Sequence, residues 1–280
     1  MTEGGTTLQA AGALPPGLYI VATPIGAARD VTLRALDILA AADVLAAEDT
    51  RTLRRLMEIH GVALSGRPLV SYHDHNGAAR RPQLLAALAA GQSVAYCSDA
   101  GTPLVADPGY RLVREAADAG HPVHAVPGPS AVLAALSVAG LPTDRFLFAG
   151  FPPAQAGARR RWIDEIGAVP ATVVLYESGR RVAGLLTDLV GAGQGAREAA
   201  LCRELTKLHE EVRRGAVAEL AAELGAEAPP RGELALVLGP PVRAAPEEAE
   251  VEGALRVALE HMPLKQAAAH VARELELGKR

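Results

Sequence analysis

The densest run of side chains able to do chemistry is Val94-Ala-Tyr-Cys-Ser-Asp-Ala-Gly-Thr-Pro-Leu-Val-Ala-Asp-Pro-Gly109. An apolar stretch there stops abruptly and gives way to Ser98, Asp99, Thr102 and Asp107, interleaved with glycine and proline. Carboxylates and hydroxyls in such a loop suit the binding of a polar small molecule. Glycine lets the backbone approach that molecule closely, and proline stiffens the loop around it. Ala47-Glu-Asp-Thr-Arg51 adds two carboxylates, a hydroxyl and a guanidinium at the end of another apolar run. Asp49 or Thr50 can equally cap the helix that follows. His73-Asp-His-Asn76 carries two imidazoles one residue apart, a spacing that zinc tolerates, but no third ligand at suitable spacing is apparent. Surface or substrate-contact use of a polar loop is the favoured reading. Tyr176-Glu-Ser178, followed by Arg180 and Arg181, and Arg203-Glu-Leu-Thr-Lys207 repeat the pattern of polar groups after an apolar run. Glu204 beside Arg203 and Lys207 reads as an ion-pair cluster. Ile20-Val-Ala-Thr-Pro-Ile-Gly26 is a strand and turn with neither the Gly-Lys-Ser/Thr end of a Walker loop nor the G-x-G-x-x-G of a dinucleotide fold, which disfavours ATP and NAD as ligands.

These groups need elements to position them. The first half alternates short apolar runs with helical patterns. Strands are expected at Leu18–Thr23, Val44–Ala47, Pro68–Ser71, Ser93–Cys97 and Pro122–Val126. Helices fall between them: one capped by Asp30 with Leu33, Leu36 and Leu39 on its apolar face, one from Thr50 to Gly61, one ending at Gly91 and one from Tyr110 to Gly120. This βαβα order predicts a mostly parallel, helix-covered sheet with right-handed crossovers, whose ligands sit at the carboxyl ends of the strands. Val126-Pro-Gly-Pro-Ser130 is a stiff hinge, with Ser130 placed to cap the helix Ala131–Ala139. Beyond it, strands are expected at Arg145–Gly150, Ala171–Tyr176, Ala199–Cys202, Leu208–Arg213 and Glu233–Leu238, with helices at Arg159–Ile166, Arg181–Val190 and Ala216–Leu224. The domain reading is therefore a flexible arm over 1–16, α/β domains over 17–128 and 129–242, and a linker with helices over 243–280.

Aromatic residues make up only 3% of the 280, so the core must be built from Ala, Leu and Val. The formal net charge of −4 excludes a globally basic nucleic-acid coat but not local basic patches such as Arg51, Arg54 and Arg55. Cys97 and Cys202 both lie in apolar runs and read as buried thiols, as suits a reducing cytoplasm. No apolar run approaches the length of a membrane span, and residues 1–16 lack the pattern of a signal peptide.

Taken in order, Leu18–Gly26, Ala47–Arg51, His73–Asn76, Ser98–Pro103, Asp107–Tyr110, Pro127–Pro129, Tyr176–Ser178 and Arg203–Lys207 closely resemble the small-subunit ribosomal RNA methyltransferases of the tetrapyrrole-methylase superfamily. The resemblance spans about residues 18–275. It implies a class III methyltransferase fold: two α/β domains with S-adenosylmethionine in the cleft between them, C-terminal helices, and assembly as a homodimer. The implied reaction methylates the ribose 2′-hydroxyl of a decoding-centre cytidine in 16S rRNA of the small ribosomal subunit, with no metal. The cofactor contacts carried over are Pro24, Ser98, Asp99, Thr102, Ser130 and Ala131, with Tyr176 and Leu205 from the second domain. Gly179-Arg180 stands where the family pattern has Thr-His. A ribose hydroxyl is a weak nucleophile near neutral pH, so a nearby base helps. Glu48 and Asp49 rank first for that role and His73 second. Arg51, Arg55, Arg80, Arg81 and Arg160 are the candidate phosphate contacts. A methylase of a small tetrapyrrole and a non-catalytic ribosome-assembly module are the alternative functions.

Overall fold

The computed structural model describes residues 13–105, 109–242 and 248–275. It divides into a unit that ends at Pro240 and a second unit that begins at Pro241. The larger unit is built on two five-stranded sheets.

The first sheet contains β1 (Gly17–Val21), β2 (Val44–Ala47), β3 (Leu69–Ser71), β4 (Ser93–Cys97) and β5 (Val123–Val126), in the spatial order β3-β2-β4-β1-β5. Every pairing is parallel. Strands buried on both faces read as continuous apolar runs rather than alternating ones, and β2 and β4 are buried throughout. The connecting helices are α1 (Leu33–Ala41), α2 (Thr50–Ile59), α3 (Gly77–Ala89) and α4 (Tyr110–Asp118). Leu39, Leu53 and Met57 of α1 and α2 pack on one face with Leu45 and Cys97, while Leu84, Leu88 and Leu112 of α3 and α4 pack on the other with Val94 and Tyr96. The strand order explains this split. The chain runs from β1 towards β3 through α1 and α2, then returns from β3 towards β5 through α3 and α4. Right-handed crossovers running in opposite directions must use opposite faces. The reversal leaves a crevice at the carboxyl ends of β1 and β4, where such sheets bind ligands.

The chain crosses to the second sheet at Pro127–Pro129. Gly128 is needed there because a Cβ would lie 3.0 Å from that of Ala22. The second sheet contains β6 (Phe146–Phe148), β7 (Thr172–Ser178), β8 (Glu198–Arg203), β9 (Glu211–Ala216) and β10 (Glu233–Leu238), in the order β6-β7-β10-β8-β9. Only β6–β7 is parallel; the other pairings are antiparallel. Helix α5 (Ala131–Ala139) packs through Val132, Ala135 and Leu136 on the face that carries Val174, Cys202 and Ala235. Helices α6 (Ala156–Gly167), α7 (Gly179–Leu189) and α8 (Val217–Ala226) cover the opposite face against Val173, Leu175, Leu201 and Leu236. Truncating a fully buried leucine in this layer, such as Leu186, removes roughly 2–5 kcal/mol. Arg197, 1% exposed, ties strand ends together by donating to the carbonyls of Gly239 and Ala171 and to Gln194 Oε1. In the unit beyond Pro241, α9 (Glu248–Leu259) and α10 (Leu264–Glu274) pack through Ala258, Ala267 and Val271.

Several expectations are corrected. Thr32, not Asp30, caps α1: its hydroxyl accepts from Ala35 N at 3.1 Å, and Asp30 ends a 3-10 turn ahead of the helix. The strand expected at Leu208–Arg213 starts three residues later. Thr206 sits at φ 63°, and its N–H donates to Glu210 Oε2 at 2.6 Å, holding the chain in a turn there. Ser130 occupies the N-cap of α5, yet its side chain makes no cap hydrogen bond. Cys97 and Cys202 are buried free thiols, as expected. Most of the expected arm, together with Asp107, residues 243–247 of the linker and the terminal Gly278-Lys-Arg280, lies outside the described residues.

Candidate active site

A cleft of about 420 Å³ opens at the carboxyl ends of the first sheet and faces the α5 side of the second. That volume lies within the range of small-molecule sites. Its first wall consists of loops after parallel strands. The loop after β1 and the loop after β4 are locked together: Thr23 N donates to Gly101 O at 2.9 Å, and Gly101 N returns a bond to Thr23 O at 3.0 Å. Gly101 stands at φ 82° and Leu104 at φ 73°, in the left-handed region that favours glycine. A non-glycine residue there marks local strain of the kind concentrated at binding loops. Thr102 Oγ1 donates to Pro129 O at 3.0 Å and so fastens the loop to the crossover between the sheets.

Carboxylates dominate this wall. Asp99 Oδ1 accepts from Asp49 N at 2.8 Å, and Glu48 Oε2 accepts from Asp99 N at 3.3 Å. Each loop thus holds the other's acid in place. Half-burial pushes the Glu48 carboxyl above its ordinary value, and the nearby Asp99 and Asp74 charges push the same way. The Asp99 N–H and His73 oppose them. Asp49 behaves oppositely. Arg51 binds its carboxylate through the main-chain N–H at 2.8 Å and the guanidinium at 2.6 Å, which lowers it to about 2. Asp49 is also the N-cap of α2, so of the two capping candidates it is the one that caps.

The second wall is a sheet face. Ala235 of β10 pairs with Tyr176 of β7 on one side and Cys202 of β8 on the other, and all three line the cleft. Phe151 and Phe148 pack on the Tyr176 ring at 5.5 and 4.9 Å between centroids. Leu205 completes the apolar patch. The Arg203–Lys207 turn closes one end, with Glu204 and Thr206 at φ 48° and 63°. Thr206 Oγ1 accepts from Ala27 N at 3.1 Å, joining the second lobe to the loop after β1. Gly26 makes that approach possible, since a Cβ would fall 2.5 Å from Thr206 Oγ1 and 2.9 Å from Leu205 O. Ser130 and Ala131 present the amino end of α5, whose first N–H groups have no side-chain cap. Unsatisfied donors at a helix start attract an anionic group.

The structure therefore brings Glu48, Asp99, Thr102, Ser130, Ala131, Tyr176 and Leu205 to one cleft. Ser98 instead lies beneath the loop, 4% exposed, with its hydroxyl turned to Ala100 O and Gly101 O. Pro24 precedes Ile25, and Ile25 is the lining residue. His73 is held beside the wall by Asn76 Oδ1, which accepts from its main-chain N–H at 2.9 Å; the ring Nδ1 is buried without a partner among the described residues. Among the described residues, no group of three His, Cys, Asp or Glu converges on a metal position. Arg55 and Arg80 are exposed, and Arg51 is 89% exposed despite its pair with Asp49. Arg81 is turned inward, 14% exposed, pairing with Glu115 at 2.8 Å and bonding Tyr72. Arg160 borders a separate groove between α6 and α7, beside Asp164 and Asp188. In the expected ion-pair cluster, Lys207 bridges Glu204 and Glu233 at 3.0 and 2.9 Å, but Arg203 pairs with Glu211 instead. Sequence reasoning missed Ile25, Val105, Phe151, Lys207 and Glu233 as lining residues. Phe151 carried one signal: it is among only three phenylalanines in the chain.

Two α/β lobes around a cleft at parallel-strand ends define a class, and residues 17–221 match the family model described as Tetrapyrrole (Corrin/Porphyrin) Methylases. The solved uroporphyrin-III-C-methyltransferase of Thermus thermophilus shares the fold with a TM-score of 0.54 at 26% identity, over 80% of this chain and 94% of that one. Within the class, the chain is 49% identical over 269 residues to "Ribosomal RNA small subunit methyltransferase I" of Mesorhizobium japonicum, covering 96% of this chain and 90% of that one. The Vibrio cholerae protein of the same description is 41% identical, over 100% and 96% of the two chains. Residues 245–280 match a model described as the RsmI C-terminal HTH domain. The chain thus belongs to the ribosomal RNA small subunit methyltransferase I family of tetrapyrrole methylases, in agreement with the resemblance read from its motifs.

Proposed function

We propose that this chain transfers a methyl group from S-adenosylmethionine to the ribose 2′-hydroxyl of a cytidine in the decoding centre of 16S rRNA. The observation that carries the reading is the cleft's pairing of an acidic wall with an apolar one. The donor combines a flat adenine, a cationic sulfonium and an amino-acid end, and the residues fit each part. The sheet face with Tyr176, Leu205 and Ala235 suits adenine. Asp99 and Glu48 offer negative charge to the sulfonium, and the uncapped start of α5 suits a carboxylate. When bound, the donor supplies an activated methyl; the protein's contribution is to orient it and the incoming oxygen.

The reading assigns RNA phosphates to exposed arginines near the acidic wall. Arg51 opens α2, two residues from Asp49, whose N–H is bonded to the cleft residue Asp99. Arg55 follows one turn later, and Arg80 lies on α3 after the His73 loop. Contacts of this kind set register rather than sequence. A ribose 2′-hydroxyl reaches the cleft when its nucleotide is unpaired or flipped. Homodimerisation, 16S rRNA within the small subunit as partner and a cytoplasmic location complete the reading. No helix among the described residues is long and apolar enough to cross a membrane.

The test is to incubate the protein with labelled S-adenosylmethionine and, in parallel, small subunits lacking the modification or a porphyrinoid, then to map methylation of the RNA at nucleotide resolution. The expected result is label at one ribose of a decoding-centre cytidine. Label on a base, on a porphyrinoid substrate or nowhere rejects the reading.

A further inference from the structure

We propose that Glu48 is the catalytic base: from the first wall of the cleft it takes the proton of the attacking ribose hydroxyl, while the Asp99 backbone N–H holds it in position. This rests on the methyl-transfer reading above and adds a residue role to it. Geometry singles Glu48 out among the acids. Its Oε2 is tethered by Asp99 N at 3.3 Å, while Oε1 accepts no hydrogen bond from any described residue, and the side chain lines the cleft. The neighbouring groups are less suited. Asp49 gives both carboxylate oxygens to Arg51. Asp99 spends Oδ1 on Asp49 N and is exposed, whereas Glu48 is half-buried. His73 does not line the cleft.

The charge balance favours this assignment. As the ribose oxygen forms its bond to the methyl carbon, the carbon–sulfur bond breaks and its electron pair stays on sulfur. The hydroxyl proton passes to Glu48. A sulfonium and a carboxylate become a neutral thioether and a neutral carboxylic acid, so the cleft keeps its net charge. Opposite charges that vanish together in a partly desolvated site leave no isolated ion behind. The groups facing Glu48 tune it. Asp99, after β4, and Asp74, after β3, raise its proton affinity, His73 lowers it, and burial raises it. A weak carboxylate base is thereby made stronger, which improves proton transfer.

The experiment compares wild type with Glu48→Gln, an isostere that keeps an acceptor for Asp99 N–H. Single-turnover methylation of small subunits, calorimetry with S-adenosylmethionine, and a carboxyl-carbon NMR titration of glutamate-labelled protein are read together. The expected result is a loss of roughly 10²- to 10⁴-fold in rate, with donor affinity falling far less, by about tenfold or under. The Glu48 carboxyl should titrate above the usual glutamate range, moving up in His73→Gln and down in Asp74→Asn. A near-wild-type rate in Glu48→Gln, a donor affinity that falls in step with the rate, or a titration that ignores both neighbours overturns the assignment. Wild type that leaves RNA unlabelled overturns the underlying reading, and is recognised separately because no variant is then needed to see it.

Discussion

The two walls of the cleft are built by different physics. The first is made of loops, and its polar groups are placed by hydrogen bonds between loops: Thr23 with Gly101, Asp99 with Asp49, Glu48 with Asp99. The second is a sheet face, and its side chains are placed by strand register, which sets Tyr176, Ala235 and Cys202 side by side. The loop wall concentrates charge, while the sheet wall supplies area. Position matters most where charge develops, because electrostatic stabilisation depends on preorganised groups. An apolar wall tolerates more change, since its contribution scales with buried surface. Damage to the first wall should therefore cost function more sharply than damage to the second.

Asp99→Ala is the largest of the binding effects expected here. It removes a charge from the acidic wall and the acceptor for Asp49 N–H. Hydrogen bonds to charged groups are worth about 1.5–3 kcal/mol, so donor affinity in calorimetry should fall roughly 10- to 150-fold. Unchanged affinity would remove Asp99 from the donor site. Tyr176→Leu probes the sheet wall while keeping an apolar filler. Aromatic packing contributes about 0.5–1.5 kcal/mol beyond area, so a loss of roughly two- to tenfold is expected. A loss larger than that of Asp99→Ala would invert the comparison between the walls.

Arg51→Glu tests whether RNA approaches from the loop side. Filter binding to small-subunit RNA should weaken roughly three- to tenfold at low salt, with a shallower salt dependence, and calorimetry with the donor should change little. A normal RNA curve takes Arg51 off the contact list. Asp49→Ala gives the smallest effect, and it depends on pH. The Asp49 carboxyl is lowered from 3.8 to about 2 in the folded protein. Its stabilisation is therefore fully present above about pH 4 and fades as pH falls through 2. Thermal melts should show the variant a few degrees lower at neutral pH, with the gap closing in strong acid. A gap that stays constant with pH would mean that the cap does not depend on its charge.

Much of the loop wall was legible from residue types. Glu48, Asp99 and Thr102 all follow apolar runs, and parallel sheets bind at strand ends, so position followed from the element order. The sheet wall was harder to read. Tyr176 and Leu205 were reached through resemblance, and Phe151, Lys207 and Glu233 were missed. Their role depends on which strands pair, and β10 lies between β7 and β8 although it follows both in sequence. Side-chain orientation was equally hidden. Arg81 and Arg80 are adjacent in sequence, yet one turns in to Glu115 and Tyr72 while the other is exposed. Ser98 sits next to Asp99 and points the opposite way, beneath its own loop.

The amino-acid order alone determined the alternation of strands and helices, the hinge at Pro127–Pro129 and the segments that carry chemistry. It could do so because periodicity, proline and glycine act over a few residues. The partners across the cleft were decided only in three dimensions. Ala27 meets Thr206 across 179 positions of sequence, and Asp49 meets Asp99 across 50. Contacts of that range follow from how whole sheets pack, and local composition does not encode them.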